Sequence, residues 1–430
     1  MSQMPQASAE KKPKHEAPGA AFVLVATLIA IYSISQFFRN AIGVIGPDLA
    51  REFDLDARGL SLLASVFFLS FAALQIPLGM IIDRFGPKIA IVATAMIAVV
   101  GTILFAMAES FTSLLIARLL IGAGCSSFFM GSLAIYSERF PPQRFSTMVG
   151  IQLGVGTIGA IFATTPLAWS TAHYGWRASF MAIGLLTFLL TLLVMLLVRD
   201  SAAGNARRAD QRENFRTLLK GVVAATRVKS FWPVFLMQAT TYSGIAAIIG
   251  LWGGPWLTHV YGLDLAGRGW VLGLMVTAQI IGLFICGPSD RWFSSYRIPG
   301  LIGGVLCLAV ASFGAVVALP AWAAMPYLLL YGLAFSTTPV LTAHGRALFP
   351  QHLLGRGLTL MNMGNMGGVF IQQALTGLVL ERFGSQIIDG ARVYPAAGYR
   401  AVFGLIAAEL AIALVFYART IDPHPNKSAD

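Results

Sequence analysis

Charged side chains are scarce in this sequence: of 430 residues only 11% are Asp, Glu, Lys or Arg, while 57% are hydrophobic. A soluble protein carries roughly a quarter charged residues, so the composition excludes a water-borne fold and places the chain in a bilayer. Cysteine is nearly missing. Cys125, Cys286 and Cys307 are odd in number and all lie in apolar runs, which speaks against a disulfide framework or a four-ligand metal site. The phosphate-cradling pattern Gly-x-x-x-x-Gly-Lys-Ser/Thr is absent, as is any pattern for covalent or metal catalysis. Neither a primary pump nor an enzyme is expected, and no cofactor or metal is implied. The first 19 residues hold Lys11, Lys12 and Lys14 but lack the apolar core and cleavage site of a removable signal peptide. The first apolar run is therefore expected to stay in the chain.

Those runs are the sequence's main content. About 20 apolar residues suffice to cross a hydrocarbon core of about 30 Å, and such spans fall at 20–46, 60–82, 89–108, 112–137, 145–170, 178–198, 232–258, 269–289, 298–319, 322–345, 357–380 and 401–418. The prediction is an all-α integral membrane protein with 12 transmembrane helices. With both termini cytoplasmic, 21 of the 30 Lys and Arg residues lie inside and 7 outside, leaving Arg39 and Arg118 within the membrane; this is the bias the positive-inside rule requires. The expected location is a plasma membrane, the inner membrane of a bacterium. The net charge of +11 is spread over short turns and one linker, so its expected partner is anionic lipid and not nucleic acid.

The linker, residues 199–230, separates six spans from six. It carries Arg199, Arg207, Arg208, Arg212, Arg216, Lys220, Arg227 and Lys229, and its part from Phe215 to Val228 has the pattern of an amphipathic surface helix. The expected organisation is a cytoplasmic tail (1–19), a six-helix bundle (20–198), the linker, a second bundle (231–420) and a tail (421–430). The halves echo one another. Gly175-Trp176-Arg177-Ala178-Ser179-Phe180 recurs as Gly398-Tyr399-Arg400-Ala401-Val402-Phe403, Phe140-Pro141 as Phe349-Pro350, and Asp83-Arg84 as Asp290-Arg291. Together these argue for a duplicated six-helix unit and hence two pseudo-symmetric bundles, an architecture shared by alternating-access carriers.

The turn Gly79-Met-Ile-Ile-Asp83-Arg84-Phe85-Gly86-Pro87-Lys88 joins the second and third spans. Gly79 is expected to let a neighbouring helix approach, and Gly86-Pro87 to turn the backbone sharply. This turn resembles the Gly-x-x-x-Asp-Arg-x-Gly-basic-basic motif of the major facilitator superfamily, with Pro87 replacing the first of the last basic pair. Arg118-x-x-x-Gly122-x-Gly124 resembles that superfamily's fourth-helix pattern, and Glu138-Arg139-Phe140 its acidic-basic pair facing the first motif. The resemblance implies a carrier whose inner side is latched by Asp83, Arg84 or Lys88 and Glu138, with Arg139 beside it, and with Arg118 as a candidate for coupling to protons or conformation; the alternative for Arg118 is a purely structural bond to backbone carbonyls. The second copy, Gly287-Pro-Ser-Asp290-Arg291, is followed by Trp292-Phe293-Ser294, so a weaker latch is expected there. The fifth span has Gly150, Gly154, Gly156 and Gly159 but lacks the superfamily's antiporter Gly-Pro pair.

Arg39 lies deep in the first span, where a charge costs roughly 2.5–3.5 kcal/mol on insertion scales. Helical stepping puts Tyr32, Ser35, Gln36, Arg39 and Gly43 on one face, a polar stripe whose guanidinium suits a carboxylate or phosphate. The alternative is a structural pair with a protein acid, yet Asp48, Glu109, Glu138 and Glu381 sit near span ends and Glu409 lies in the twelfth span. The spacing from Arg39 to Pro47 resembles the organophosphate and organic-anion branches, which implies an anion-binding arginine; their second arginine, from the seventh span, is missing between Phe231 and Val260. Gln238 and Tyr242 in the seventh span, and Asn362, Asn365 and Gln372 in the eleventh, are further candidates, the alternative being ordinary interhelix hydrogen bonds. His344 and Arg346 close the tenth span, where a histidine can titrate or simply anchor the helix end. The expected partners are a small-molecule substrate, a monocarboxylate or amino acid, together with protons, and the expected working unit is a monomer. The rival readings are an efflux carrier for hydrophobic compounds and a transporter-like receptor.

Overall fold

The computed structural model describes residues 18–140, 142–198, 215–350, 353–388 and 390–423. The expected N-terminal tail with its lysines and the first half of the basic linker, 199–214, lie outside the described residues.

Apolar runs in a bilayer must satisfy their own backbone groups, so they fold as helices. Among the described residues nine helices are long and apolar enough to span, and a tenth span is the bent pair Ala57–Ala73 and Gln75–Ile82. One of the nine, Thr147–Leu197, holds two passages joined at Gly175, whose φ of 80° breaks the helix. Leu354–Glu381 supplies one more, 28 residues long, about 42 Å at 1.5 Å per residue; its amides lower its hydropathy. The expected 12 passages are thus all present, with helix ends that reach beyond the apolar runs. The first runs from Pro18 to Glu52, through Pro47. Pro47 lacks the N–H that would bond the carbonyl four residues back, Gly43, and that carbonyl packs against Gly254 of the other bundle.

Local chemistry sets the turns. Gly86 adopts φ 90°, and Pro87 follows as the first residue of the third helix, Pro87–Ala106, so the Gly-Pro pair makes the sharp turn expected of it. The second and eighth spans begin alike. Asp56 accepts a hydrogen bond from Gly59 N at 2.7 Å and Asp264 from Gly267 N at 2.8 Å, matching caps 208 residues apart (264 − 56) that extend the internal repeat. Phe215–Thr226 forms the expected linker helix.

Three features were not expected. The seventh passage, Phe231–Ala247, continues through a π-helical turn, Ile248–Trp252, into Gly253–Tyr261. Two antiparallel strands, Gln386–Ile388 and Ala391–Val393, form a hairpin before the last helix, Ala396–Tyr417. Gly79 has open space where a side chain would stand, which corrects the expected close approach: a 42° bend separates its short half-helix from the packed Ala57–Ala73 part of the second span.

Candidate functional site

The first, second, seventh and eleventh spans meet between the bundles. The seventh and eleventh run in register, with Gly364 against Phe235 and Gly368 against Ala239, while Gln372 accepts a hydrogen bond from Ser243. Each pair is 129 residues apart, so one helical face of the seventh span reads along one face of the eleventh. The first span crosses the π-helical turn: a side chain at Gly250 would lie 2.8 Å from Arg39 O and 3.6 Å from Gln373 Nε2.

Arg39 is 8% exposed. Its Nη1 donates to the Tyr242 hydroxyl at 3.0 Å, across the bundle interface, and its guanidinium lies 4.8 Å from the centroid of the Phe71 ring. No carboxylate pairs with it among the described residues, and its buried Nε has no partner. A structural ion pair, the alternative weighed from the sequence, is not what the described residues show. The predicted neighbours divide. Tyr242 joins Arg39 directly, whereas Tyr32 packs its ring 5.3 Å from that of Phe129. Gln36 is half-buried, and its carbonyl accepts from Asn40 at 2.7 Å. Gln238 Nε2 donates to Thr342 at 3.2 Å, and Asn362 donates to Gln75 of the other bundle at 3.1 Å. Gln238 Oε1, Asn365 Oδ1, Gln372 Nε2 and Gln373 Oε1 are buried without partners. Buried polar atoms are almost always satisfied by protein or water, so each of these atoms marks a point where a solute or water belongs.

Arg118 differs. It is fully buried, and it donates to Phe38 O, Leu63 O and Ala64 O at 3.0, 3.2 and 3.4 Å, with its guanidinium 4.9 Å from the centroid of the Phe67 ring. It ties the first and second spans to the fourth. His344 is likewise saturated, by the Tyr417 hydroxyl and Ile421 O, each at 2.9 Å.

At the end that the basic-residue bias assigns to the outside, charges pair between bundles. Asp48 forms an ion pair with Arg268, whose Nε also donates to Val44 O at 2.8 Å. Asp54 accepts two hydrogen bonds from Arg392 of the hairpin, at 3.0 and 3.2 Å, and these, with the guanidinium charge, hold its carboxyl below the usual range. Ala57 N donates to Glu381 Oε2 at 3.1 Å and to the Tyr394 oxygen at 2.8 Å, while Tyr394 donates to Glu381 at 2.7 Å. The sequence reading missed Arg268, one residue ahead of its predicted span. The Asp264-x-x-Gly267 cap would have moved that helix start to Leu265.

At the other end lie the residues expected to form the latch. Asp83 lies on the second span, but its side chain is outside the described residues; Arg84 and Glu138 are exposed, Lys88 and Arg139 half-buried. In the second copy Asp290 is half-buried and Arg291 exposed.

Comparison with known proteins agrees with this architecture. A nitrate/nitrite transporter of Nostoc punctiforme is 32% identical over 176 residues, covering 38% of this chain and 34% of the relative. A gentisate transporter of Corynebacterium glutamicum is 27% identical over 355 residues, covering 79% and 76%. The chain spans a third to about half of the length of the first curated relatives it matches, 34%, 43% and 48%. A crystal structure of a bacterial homologue of the human lysosomal transporter Spinster, inward-facing and unoccupied, superposes with a TM-score of 0.75 at 18% identity, covering 94% of this chain and 97% of that one. The sequence model of the Major Facilitator Superfamily matches residues 28–373, from the first span through the paired seventh and eleventh. With that match across most of both helix bundles, the chain belongs to the Major Facilitator Superfamily.

Proposed function

We propose that this protein is a secondary active carrier that moves a small organic anion or zwitterion, of the carboxylate or amino-acid class, by alternating access. One observation carries the reading: Arg39 is buried between the bundles, bonded across the interface to Tyr242, with one nitrogen unpartnered and no described carboxylate beside it. A fixed cation so placed favours an anionic group and disfavours cationic drugs. The named cargoes of two relatives, nitrate or nitrite and gentisate, are anions, which supports the same class.

Proton symport fits the charge balance of anion uptake. Importing a monoanion against an inside-negative potential costs about 2.3 kcal/mol per 100 mV, and one accompanying proton cancels that cost. The outer pairs Asp48–Arg268 and Asp54–Arg392 act as the outer seal, and Asp83, Arg84 or Lys88 and Glu138 as the inner latch, in a carrier that works as a monomer. The test is uptake by proteoliposomes of labelled carboxylates and amino acids, with and without an imposed pH gradient. Anion uptake that survives Arg39→Ala sinks this reading in favour of a hydrophobic efflux carrier, and binding without flux favours a receptor.

A further inference from the structure

From the unpartnered amides around Arg39 we infer that the carrier reads a second feature of its cargo, a hydroxyl group about one helical turn from the anionic end, and that Gln373 is the residue that reads it. This rests on Arg39 as the anion's seat.

Gln373 is fully buried. Its Nε2 donates to Ala246 O at 3.3 Å, and because a carbonyl can only accept, that bond fixes which end of the amide is nitrogen. The oxygen is therefore the free end, and it has no partner. Its amide nitrogen and the Arg39 carbonyl both lie beside Gly250, where the π-helical turn brings the seventh span against the first.

The axial spacing follows from the helix. Arg39 is bonded to Tyr242, and Gln373 to Ala246 four residues further on, about 6 Å at 1.5 Å per residue. Gln238 Oε1, another buried acceptor without a partner, stands about the same distance before Tyr242. Along the seventh span, Tyr242, which holds the cation, thus stands between Gln238, with its own bare acceptor oxygen, and Ala246, which holds Gln373. An anion with acceptors alone satisfies Arg39 and leaves those oxygens unmet, whereas a hydroxylated carboxylate meets both. Leaving a buried polar group unpaired costs enough to weaken binding by about tenfold or more.

The test is affinity of the purified carrier in lipid nanodiscs for two pairs differing in hydroxyls, gluconate with hexanoate and 4-hydroxybenzoate with benzoate, read from ligand-dependent thermal stabilisation. The expected result is at least tenfold tighter binding of the hydroxylated member in one pair. Gln373→Met should lower that ratio at least fivefold and leave affinity for the unhydroxylated member within threefold, and Gln373→Asn should fall between. If Gln373→Met does not fold, Gln373→Asn carries the test, with at least a twofold fall in the ratio expected. A ratio near one in both pairs, or equal weakening of both members by the substitutions, overturns the inference while leaving the anion reading in place. Arg39→Ala separates the two: binding of all four anions that is indifferent to it, or no binding by the parent, removes the anion seat and the inference with it.

Discussion

Two regions of this molecule each bury an arginine that has no acid partner among the described residues, and they use it in opposite ways. Inside the first bundle, Arg118 spends its guanidinium on three main-chain carbonyls of the first and second spans. Between the bundles, Arg39 makes one hydrogen bond, to a phenol of the other bundle, and leaves a buried nitrogen unpartnered. A buried cation must be solvated by something. Where the backbone supplies all of that solvation the residue is a brace, and where it supplies little the residue is available to a solute. Residue type and depth, which look alike in the sequence, do not separate the two.

The comparison can be broken most decisively at Arg39. Arg39→Ala should lower anion transport by at least a hundredfold in proteoliposomes while the purified protein keeps a melting temperature close to the parent's. Arg39→Lys should restore part of the activity, since it keeps the charge and loses the planar fork. Arg118 should behave in reverse. Arg118→Leu removes charge-assisted bonds worth about 1.5–3 kcal/mol each before the relief of charge burial is counted, so thermal unfolding should shift down clearly while anion affinity in the surviving folded protein stays within threefold. Loss of pH-gradient dependence at unchanged stability would instead make Arg118 a coupling residue.

The ion pairs between the bundles offer smaller effects. Asp48→Asn leaves the buried Arg268 with Val44 O and Thr258. Because Asp48 is a third exposed, the expected loss is about 1 kcal/mol, read as faster labelling of cysteines placed near Leu60 from the outside. The smallest effect belongs to Asp54. Arg392 depresses its carboxyl pKa, so the pair's contribution is complete above the ordinary carboxylate range near pH 4 and is lost only as the pH falls through the depressed value. Asp54→Asn should leave the pH profile of transport between 5 and 8 unchanged; an altered profile in that window would assign the hairpin a larger role.

Much of the fold was legible because a bilayer makes helix the only open-ended answer for an apolar run of that length. The Gly86-Pro87 turn, the break between halves and the linker helix all followed from local chemistry. The site was legible in part. Arg39 and Tyr242 were on the page as residues of two separate stripes, and Gln238, Asn362 and Asn365 as amides on plausible faces. Gln373 was not singled out, although at eleven residues from Asn362 and eight from Asn365 it borders the same helical face. The π-helical turn at Ile248–Trp252 that brings Gly250 to Arg39 leaves no periodicity in an apolar run. The hairpin at Gln386–Val393 is too short for its alternation to register against the helices around it.

The sequence by itself determined that this is a twelve-span membrane protein of two repeated halves, because hydropathy, basic-residue bias and turn chemistry act over a few neighbouring residues. Only the tertiary structure decided which arginine is braced and which is open, which acids meet their partners across the bundles, and which amide oxygens are left bare. Those outcomes depend on hydrogen-bond partners more than 50 residues away, such as Leu63 for Arg118 and Tyr242 for Arg39, and partnership at that range is set by how the helices pack.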